Sequence, residues 1–298
     1  MQFYEQPPRY TDFYKKCKRL TKEYPCIKLF TIGKSVLGRK IYAIGIGNLK
    51  NAVLFTGSTH GSEWLTTSLL LLFAENLSKK VCQGERFMET DVCSLLCKNG
   101  VIIVPMLNPD GVEIALGGAQ TARHRENAVA SMLQNAQGVW QANANGVDLN
   151  HNFDAGWHLL KQMEIDQGIT CPRETRFGGN APNSEPETRA IVKATIAFSP
   201  KIVVAFHSQG EEIFYAYGDN TPALSALIAT EMSHLCGYKL VSNDGLYSHG
   251  GYKDWFIHKF ARPGFTIEIG KGKNPLPISE LMPIYSRLCG VMLAFVQI

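Results

Sequence analysis

Six short runs of apolar and β-branched residues punctuate the chain, at 29–32, 41–44, 52–56, 101–105, 202–206 and 265–269. Each reads as a β-strand. The runs at 52–56, 101–105 and 202–206 are nearly continuous in apolar residues, the pattern of central strands buried on both faces. Between and around them lie stretches with helical spacing, at 10–24, 64–79, 187–198, 222–236, 252–259 and 283–296. Ser184-Glu185-Pro186-Glu187 opens one of these as a capping box, with Ser as the cap and Pro early in the first turn. That reading gives both glutamates a structural role. Residues 108–183 are rich in Gly, Asn and Gln and show no clear period. Irregular segments of such length inside a compact domain are usually functional.

Strands alternating with helices predict an α/β fold. No Ser/Gly/Pro-rich linker and no repeat divides the chain, so residues 1–298 are expected to form one domain. The expected architecture is an α/β/α sandwich with a mixed sheet and long loops over one end. Ligands in such folds gather at the carboxyl ends of the strands.

Composition narrows the partners. Apolar residues make up 45% and charged residues 19%, as in ordinary soluble globular proteins. The formal charge is +4, and the basic run Arg123-His124-Arg125 reads as a solvated loop. Nucleic acid is therefore not an expected partner. The most apolar run, 69–73, is too short to cross a bilayer, so no membrane partner is expected. The first 16 residues are aromatic and polar without an apolar leader core, so no secretory signal is expected. Eight cysteines are scattered without a C-x-x-C pair, and Cys93 and Cys97 read as buried thiols on one helix face. Structural thiols imply a reducing, cytoplasmic setting. Oligomeric state is not encoded in any of these patterns.

Candidate chemistry begins with His60-Gly-Ser-Glu63, just after the 52–56 strand. An imidazole and a carboxylate three apart suit Zn²⁺, although a helix start alone explains many such pairs. A third ligand is available in His207, which ends the 202–206 run. Glu268 lies within the apolar 265–269 run, where burying an unpaired carboxylate costs several kcal/mol. It therefore needs a partner, a metal-bound water or a raised pKa, and a raised pKa suits a general base for water. Three ligands, an open position and a base compose a hydrolytic zinc site with one ion per chain.

In order along the chain stand His60-x-x-Glu63, Asn108-Pro109-Asp110-Gly111, Gly146-Val147-Asp148-Leu149-Asn150-x-Asn152-Phe153, Ser184-Glu185-Pro186-Glu187-Thr188, the His207 strand, Gly250-Gly251-x-x-Asp254-Trp255 and Phe265-Thr266-x-Glu268. In these motifs the chain resembles the zinc carboxypeptidase family of the carboxypeptidase A type over nearly its whole length. The resemblance implies an α/β/α sandwich around a mixed sheet of about eight strands. It implies zinc on His60, Glu63 and His207, with Glu268 activating the water. The activation propeptide of secreted digestive members is not expected here.

Departures from the family pattern point to the substrate. Family exopeptidases clamp the substrate's terminal carboxylate with an Asn-Arg pair, and here the pair is Asn150-His151. An imidazole cannot form the guanidinium fork. The slot of the family's oxyanion arginine holds Gln141, with Arg123 and Arg125 as alternatives from the preceding loop. The family's mobile tyrosine corresponds to Tyr247, whose other reading is an exposed loop residue. Lys253 falls where members set side-chain specificity and would favour an acidic group, unless it is a solvated helix-face lysine. The run 143–153, with Thr175-Arg176-Phe177-Gly178-Gly179, resembles the bacterial branch that cleaves γ-D-glutamyl-diaminopimelate bonds in murein peptides. The expected activity is thus a zinc peptidase acting on muropeptides. Three other readings stay open: a carboxypeptidase on ordinary C-termini, a deacylase of N-acyl amino acids, and a catalytically silent muropeptide-binding module.

Overall fold

The computed structural model describes residues 2–134, 136, 139–241 and 249–298. Its eight strands form one sheet, β1 (Ile27–Lys34), β2 (Lys40–Gly47), β3 (Ala52–Thr56), β4 (Gly100–Val104), β5 (Ile202–His207), β6 (Glu212–Phe214), β7 (Lys239–Val241) and β8 (Gly264–Glu268). Their spatial order is β1-β2-β4-β3-β5-β8-β6-β7. The central strands β4, β3, β5 and β8 run parallel, while β1, β2 and β6 enter antiparallel pairings. The sheet is mixed, as the run pattern implies.

Alternation explains why the central strands are apolar throughout. Val53, Phe55, Val101, Ile103, Val204 and Phe206 face one core, whereas Leu54, Ile102, Val104, Val203 and Ala205 face the other. Successive side chains on a strand point to opposite faces, so a sheet covered on both sides needs apolar residues at every position. The helices described are α1 (Tyr10–Glu23), α2 (Leu65–Gln83), α3 (Val92–Lys98), α4 (Pro109–Gly117), α5 (Glu126–Gln134), α6 (Trp157–Asp166), α7 (Pro186–Phe198), α8 (Ala223–Cys236), α9 (Tyr252–Phe260) and α10 (Leu281–Gln297). Helices α1, α2, α8 and α10 cover the first face, and α7 and α9 the second. This is an α/β/α sandwich. The helix within Ile278–Gln297 is long and apolar enough to cross a membrane by composition, yet its Leu288, Val291, Met292, Phe295 and Val296 are buried in the core.

Three expectations need correction. Residues 108–183 are not wholly irregular, since they contain α4, α5 and α6. Asn108 caps α4 by accepting from the Gly111 amide at 2.8 Å, and Pro109 occupies its first turn. Short helices of mixed composition leave too little periodicity to be seen in sequence. Cys93 and Cys97 are exposed, because α3 lies at the surface and buries only Val92 and Leu96. The capping box is absent: Glu185 holds the cap position without a side-chain cap bond. Glu187 is instead buried, accepting from the Val36 amide at 3.0 Å and from Asn143 Nδ2 at 3.1 Å. The basic run does lie at the surface, with Arg123 and His124 exposed, while Arg123 donates to the Leu37 carbonyl at 2.7 Å and Arg125 to Asn145 Oδ1.

Candidate metal centre

The parallel strands deliver the site. β3 ends at Thr56, and the chain turns through Ser58 before a single 3-10 turn, Gly61–Glu63, leads into α2. This turn sits flush against α4. A Cβ on Gly61 would lie 2.3 Å from the Gly111 carbonyl oxygen, so only glycine fits between the two ligands of the pair. The Gly61 and Ser62 amides donate to the Gln141 and Trp140 carbonyls at 3.0 and 2.9 Å. Buried Asn108 ties the same strip together, its Nδ2 reaching the Thr59 and Ala142 carbonyls at 3.1 Å each.

His60, Glu63 and His207 converge, with one ligand atom of each within 4.8 Å of the others. His60 Nδ1 lies 2.8 Å from Glu63 Oε1, and His207 Nδ1 lies 2.9 Å from Glu63 Oε2. The two Nδ1 atoms are 3.3 Å apart. Ligand bonds of about 2.0–2.1 Å in a tetrahedron put neighbouring donor atoms roughly 3.3 Å apart, so the spacing suits zinc. The protonation pattern agrees. His60 Nε2 lies 3.1 Å from Asp148 Oδ1, and a carboxylate there accepts a hydrogen bond from Nε2–H, which keeps the proton on that nitrogen. Its Nδ1 then faces the Glu63 carboxylate, and a proton or a metal ion must lie between the two acceptors.

Electrostatics carry the same message. Burial opposes charge on His60, yet Glu63 and Asp148 outweigh it and raise the imidazole pKa well above its usual value. Burial likewise pushes Glu63 up, but the imidazoles of His60 and His207 prevail and hold it down to about 2. The pocket therefore demands positive charge, and a dication with nitrogen and oxygen ligands supplies it. A zinc ion held by these three residues contributes Lewis-acid polarisation and lowers the pKa of water.

Glu268 differs from expectation in one respect. It is the last residue of β8, not its middle, and pairs in register with His207 on β5 and with Glu212 on β6. The parallel register of β5 and β8 thus places ligand and base side by side. Burial first, and then the Glu63 carboxylate, raise Glu268 well above the usual carboxylate range. Its position and its raised basicity suit proton abstraction from water.

The other residues singled out in sequence are placed as follows. Gln141 borders the ligand turn, and its Oε1 accepts from Thr175 Oγ1, which leaves the amide NH₂ as its remaining donor. Asn150 Oδ1 accepts from the Tyr252 amide at 3.2 Å. His151 Nδ1 lies 3.1 Å from Glu164 Oε1 and 3.0 Å from the Arg176 carbonyl. Burial lowers its pKa, but Asp148 and Glu164 raise it by more. Lys253 is no solvated helix-face lysine: it is buried, donating to the Ala216 carbonyl at 2.7 Å and to the Asp254 carboxylate. Tyr247 lies outside the described residues.

Two functional carboxylates escaped the sequence reading. Asp148 was visible only as part of Gly-Val-Asp-Leu-Asn, yet it anchors His60 and accepts the Asn150 and Arg176 amides at 3.1 and 2.9 Å. Glu164 orients His151 while also accepting from Lys161 at 3.0 Å and from the Gly178 amide at 2.9 Å. An acid inside α6 carries no sequence signal for that task.

Residues 13–289 match the model of the zinc carboxypeptidase family. The chain is 35% identical over 279 residues to gamma-D-glutamyl-L-diamino acid endopeptidase 1 of Lysinibacillus sphaericus, covering 93% of this chain and 69% of that protein. It is 33% identical over 284 residues to the uncharacterised YqgT of Bacillus subtilis, covering 93% and 74%. Bovine thrombin-activatable fibrinolysis inhibitor has the same fold, with a TM-score of 0.76 at 21% identity over 99% of this chain and 97% of that one. Ordered motifs, fold and donor set agree, and the chain belongs to the zinc carboxypeptidase family of zinc-dependent peptidases.

Proposed function

We propose that this peptidase cleaves the γ-D-glutamyl–diamino acid bond of cell-wall peptides. One observation carries the reading: the three metal-ligating residues and Glu268 are present while the residue that should clamp a free C-terminus is not an arginine. His151 stands in that position with its ring against Glu164, so no guanidinium fork is offered from there. A γ-D-glutamyl substrate displaces the carboxylate from its usual place beside the scissile bond, so loss of the fork is chemically consistent. Similarity to an endopeptidase named for this bond supports it further.

In the reaction, Glu268 accepts a proton from the attacking water and returns it to the departing amine. The Gln141 NH₂ donates to the oxyanion, a weaker stabiliser than an arginine because it carries no full charge. Asp148 keeps His60 oriented throughout. A reducing, cytoplasmic setting belongs to the same reading. It rests on eight free thiols, including Cys26 and Cys82 with sulfurs 3.9 Å apart and unbonded.

The test is product analysis by mass spectrometry on L-Ala-γ-D-Glu-diaminopimelate peptides, run beside ordinary C-terminal peptides and N-acyl amino acids. Cleavage between D-Glu and the diamino acid is expected. Turnover confined to ordinary C-termini, or to N-acyl amino acids, overturns the proposal. So does muropeptide binding with wild-type protein as inert as Glu268→Gln.

A further inference from the structure

The edge of the sheet opposite the metal centre carries an arrangement that peptide hydrolysis does not use. Parallel strands β3, β5 and β8 present His207, Glu268 and the His60 turn at their carboxyl ends. Three basic residues collect at their amino-terminal ends. Lys50 precedes β3, Lys201 precedes β5 and Arg262 precedes β8. Together with Ser199, the residue after α7, they line an open surface depression of about 500 Å³. The six residues of β5 put this depression on the order of 20 Å from His207.

Its charge is one-sided. Among the described residues, no acidic side chain pairs with Lys50, Lys201 or Arg262. The Lys201 ammonium is shielded from solvent yet has no hydrogen-bond partner among them. Such a group is costly to leave unpaired, and a native structure that keeps one usually supplies water, an ion or a ligand. The desolvation also lowers the Lys201 pKa from its usual value, as expected of a cation lacking its counter-ion. Arg262 is held in place by Nη1, which donates to the Ser199 carbonyl at 3.2 Å, Ser199 Oγ at 3.0 Å and the Pro200 carbonyl at 3.0 Å. That anchoring leaves Nε and Nη2 as donors on a fixed guanidinium. The backbone is equally fixed, since the Lys201 amide donates to the Ala52 carbonyl at 2.9 Å.

We propose that Lys50, Lys201 and Arg262 form a binding site for a phosphate-type oxyanion at the amino-terminal edge of the central strands. Three cations without an acid favour a ligand bearing at least two negative charges over a monocarboxylate. Guanidinium and ammonium donors together match the several oxygens of a tetrahedral dianion. The same chemistry is offered by a free phosphate or pyrophosphate and by a phosphate ester displayed on an anionic surface.

Isothermal titration of the zinc-loaded protein with inorganic phosphate and with pyrophosphate, in a chloride buffer, tests the site. Saturable one-to-one binding is expected, tighter for pyrophosphate. His60→Ala should leave it unchanged, which separates this site from any anion at the metal centre. Lys201→Gln and Arg262→Gln should each weaken it by about tenfold or more, the usual effect of deleting a charged hydrogen-bond donor. If either variant misfolds, the exposed Lys50→Gln carries the test and must also weaken binding. Co-sedimentation with phosphatidylglycerol and phosphatidylcholine vesicles distinguishes the source. Retention on the anionic vesicles that pyrophosphate reverses places the phosphate on a surface, and no retention beside pyrophosphate binding identifies a soluble ion. Absence of saturable binding, binding indifferent to all three substitutions, or binding lost in His60→Ala overturns the proposal. So does vesicle retention that pyrophosphate does not reverse.

Discussion

Replacing Asp148 with Asn removes one negative charge and almost no volume from behind the metal centre. In the native protein Asp148 Oδ1 lies 3.1 Å from His60 Nε2, and Oδ2 accepts the Arg176 amide at 2.9 Å. Burial opposes its ionisation, but His60 and His151 outweigh burial and hold it well below the usual carboxylate range. It is therefore a full charge at neutral pH, making His60 a more basic ligand. His207 has no comparable support, because its Nε2 has no partner among the described residues. Asp148 thus carries the outer-shell orientation of the site largely alone. Losing such a partner typically weakens metal binding by about 10- to 100-fold, or roughly 1.4–2.7 kcal/mol. An asparagine oxygen still accepts from Nε2, so the smaller end of that range is expected. Zinc affinity is read by competition with a chromophoric chelator, and kcat/KM at saturating zinc separates metal loss from chemical loss. Circular dichroism and urea melting confirm that the zinc-saturated variant is folded. A folded Asp148→Asn protein that binds zinc as tightly as wild type refutes the reasoning.

The remaining expectations concern the base, the ligand turn and a buried acid. Glu268→Gln should retain one zinc by elemental analysis while kcat falls by about 10²–10⁴, the range of a general-base effect; wild-type turnover would remove Glu268 from that role. Gly61→Ala should cost about 1–3 kcal/mol in urea unfolding and weaken zinc binding, because its Cβ meets the Gly111 carbonyl oxygen at 2.3 Å. An unchanged midpoint and zinc affinity would show that the turn relaxes freely. Burial, followed by the Asp110 carboxylate, pushes Glu187 up to about 8. Its folded pKa exceeds the unfolded one, so its contribution to stability is full below about 4.5 and is lost as pH rises through about 8. Urea midpoints of wild type against Glu187→Gln should therefore shift in favour of the variant between pH 5 and 9, and a constant difference would refute that ionisation.

Much of the site was legible because its residue types are costly anywhere else. A carboxylate among Phe265, Ile267 and Ile269 demands a reason, and His207 at the end of five apolar residues marks a strand terminus. Ordered motifs then tied His60 and Glu63 to them. The same logic failed at Ser184–Glu187, where local capping chemistry explained two acids whose real partners are Asn143 and the Val36 amide. Those partners stand more than 40 residues away, one of them in the turn between β1 and β2, beyond any local pattern. Strands β6 and β7 also went unseen, since three-residue elements leave no period to read.

The sequence by itself determined the class of fold, the central strands and the identities of ligands and base. Those follow from apolar alternation and from the price of burying charge, both properties of residue type and order. Tertiary structure decided which nitrogen of His60 faces the centre, because Asp148 arrives from 88 positions away to hold the other. It also decided that Lys253 is paired inward, that Glu268 ends its strand beside His207, and that Lys50, Lys201 and Arg262 share one surface depression. Electrostatic coupling depends on distance in space, and only the assembled sheet brings these distant positions together.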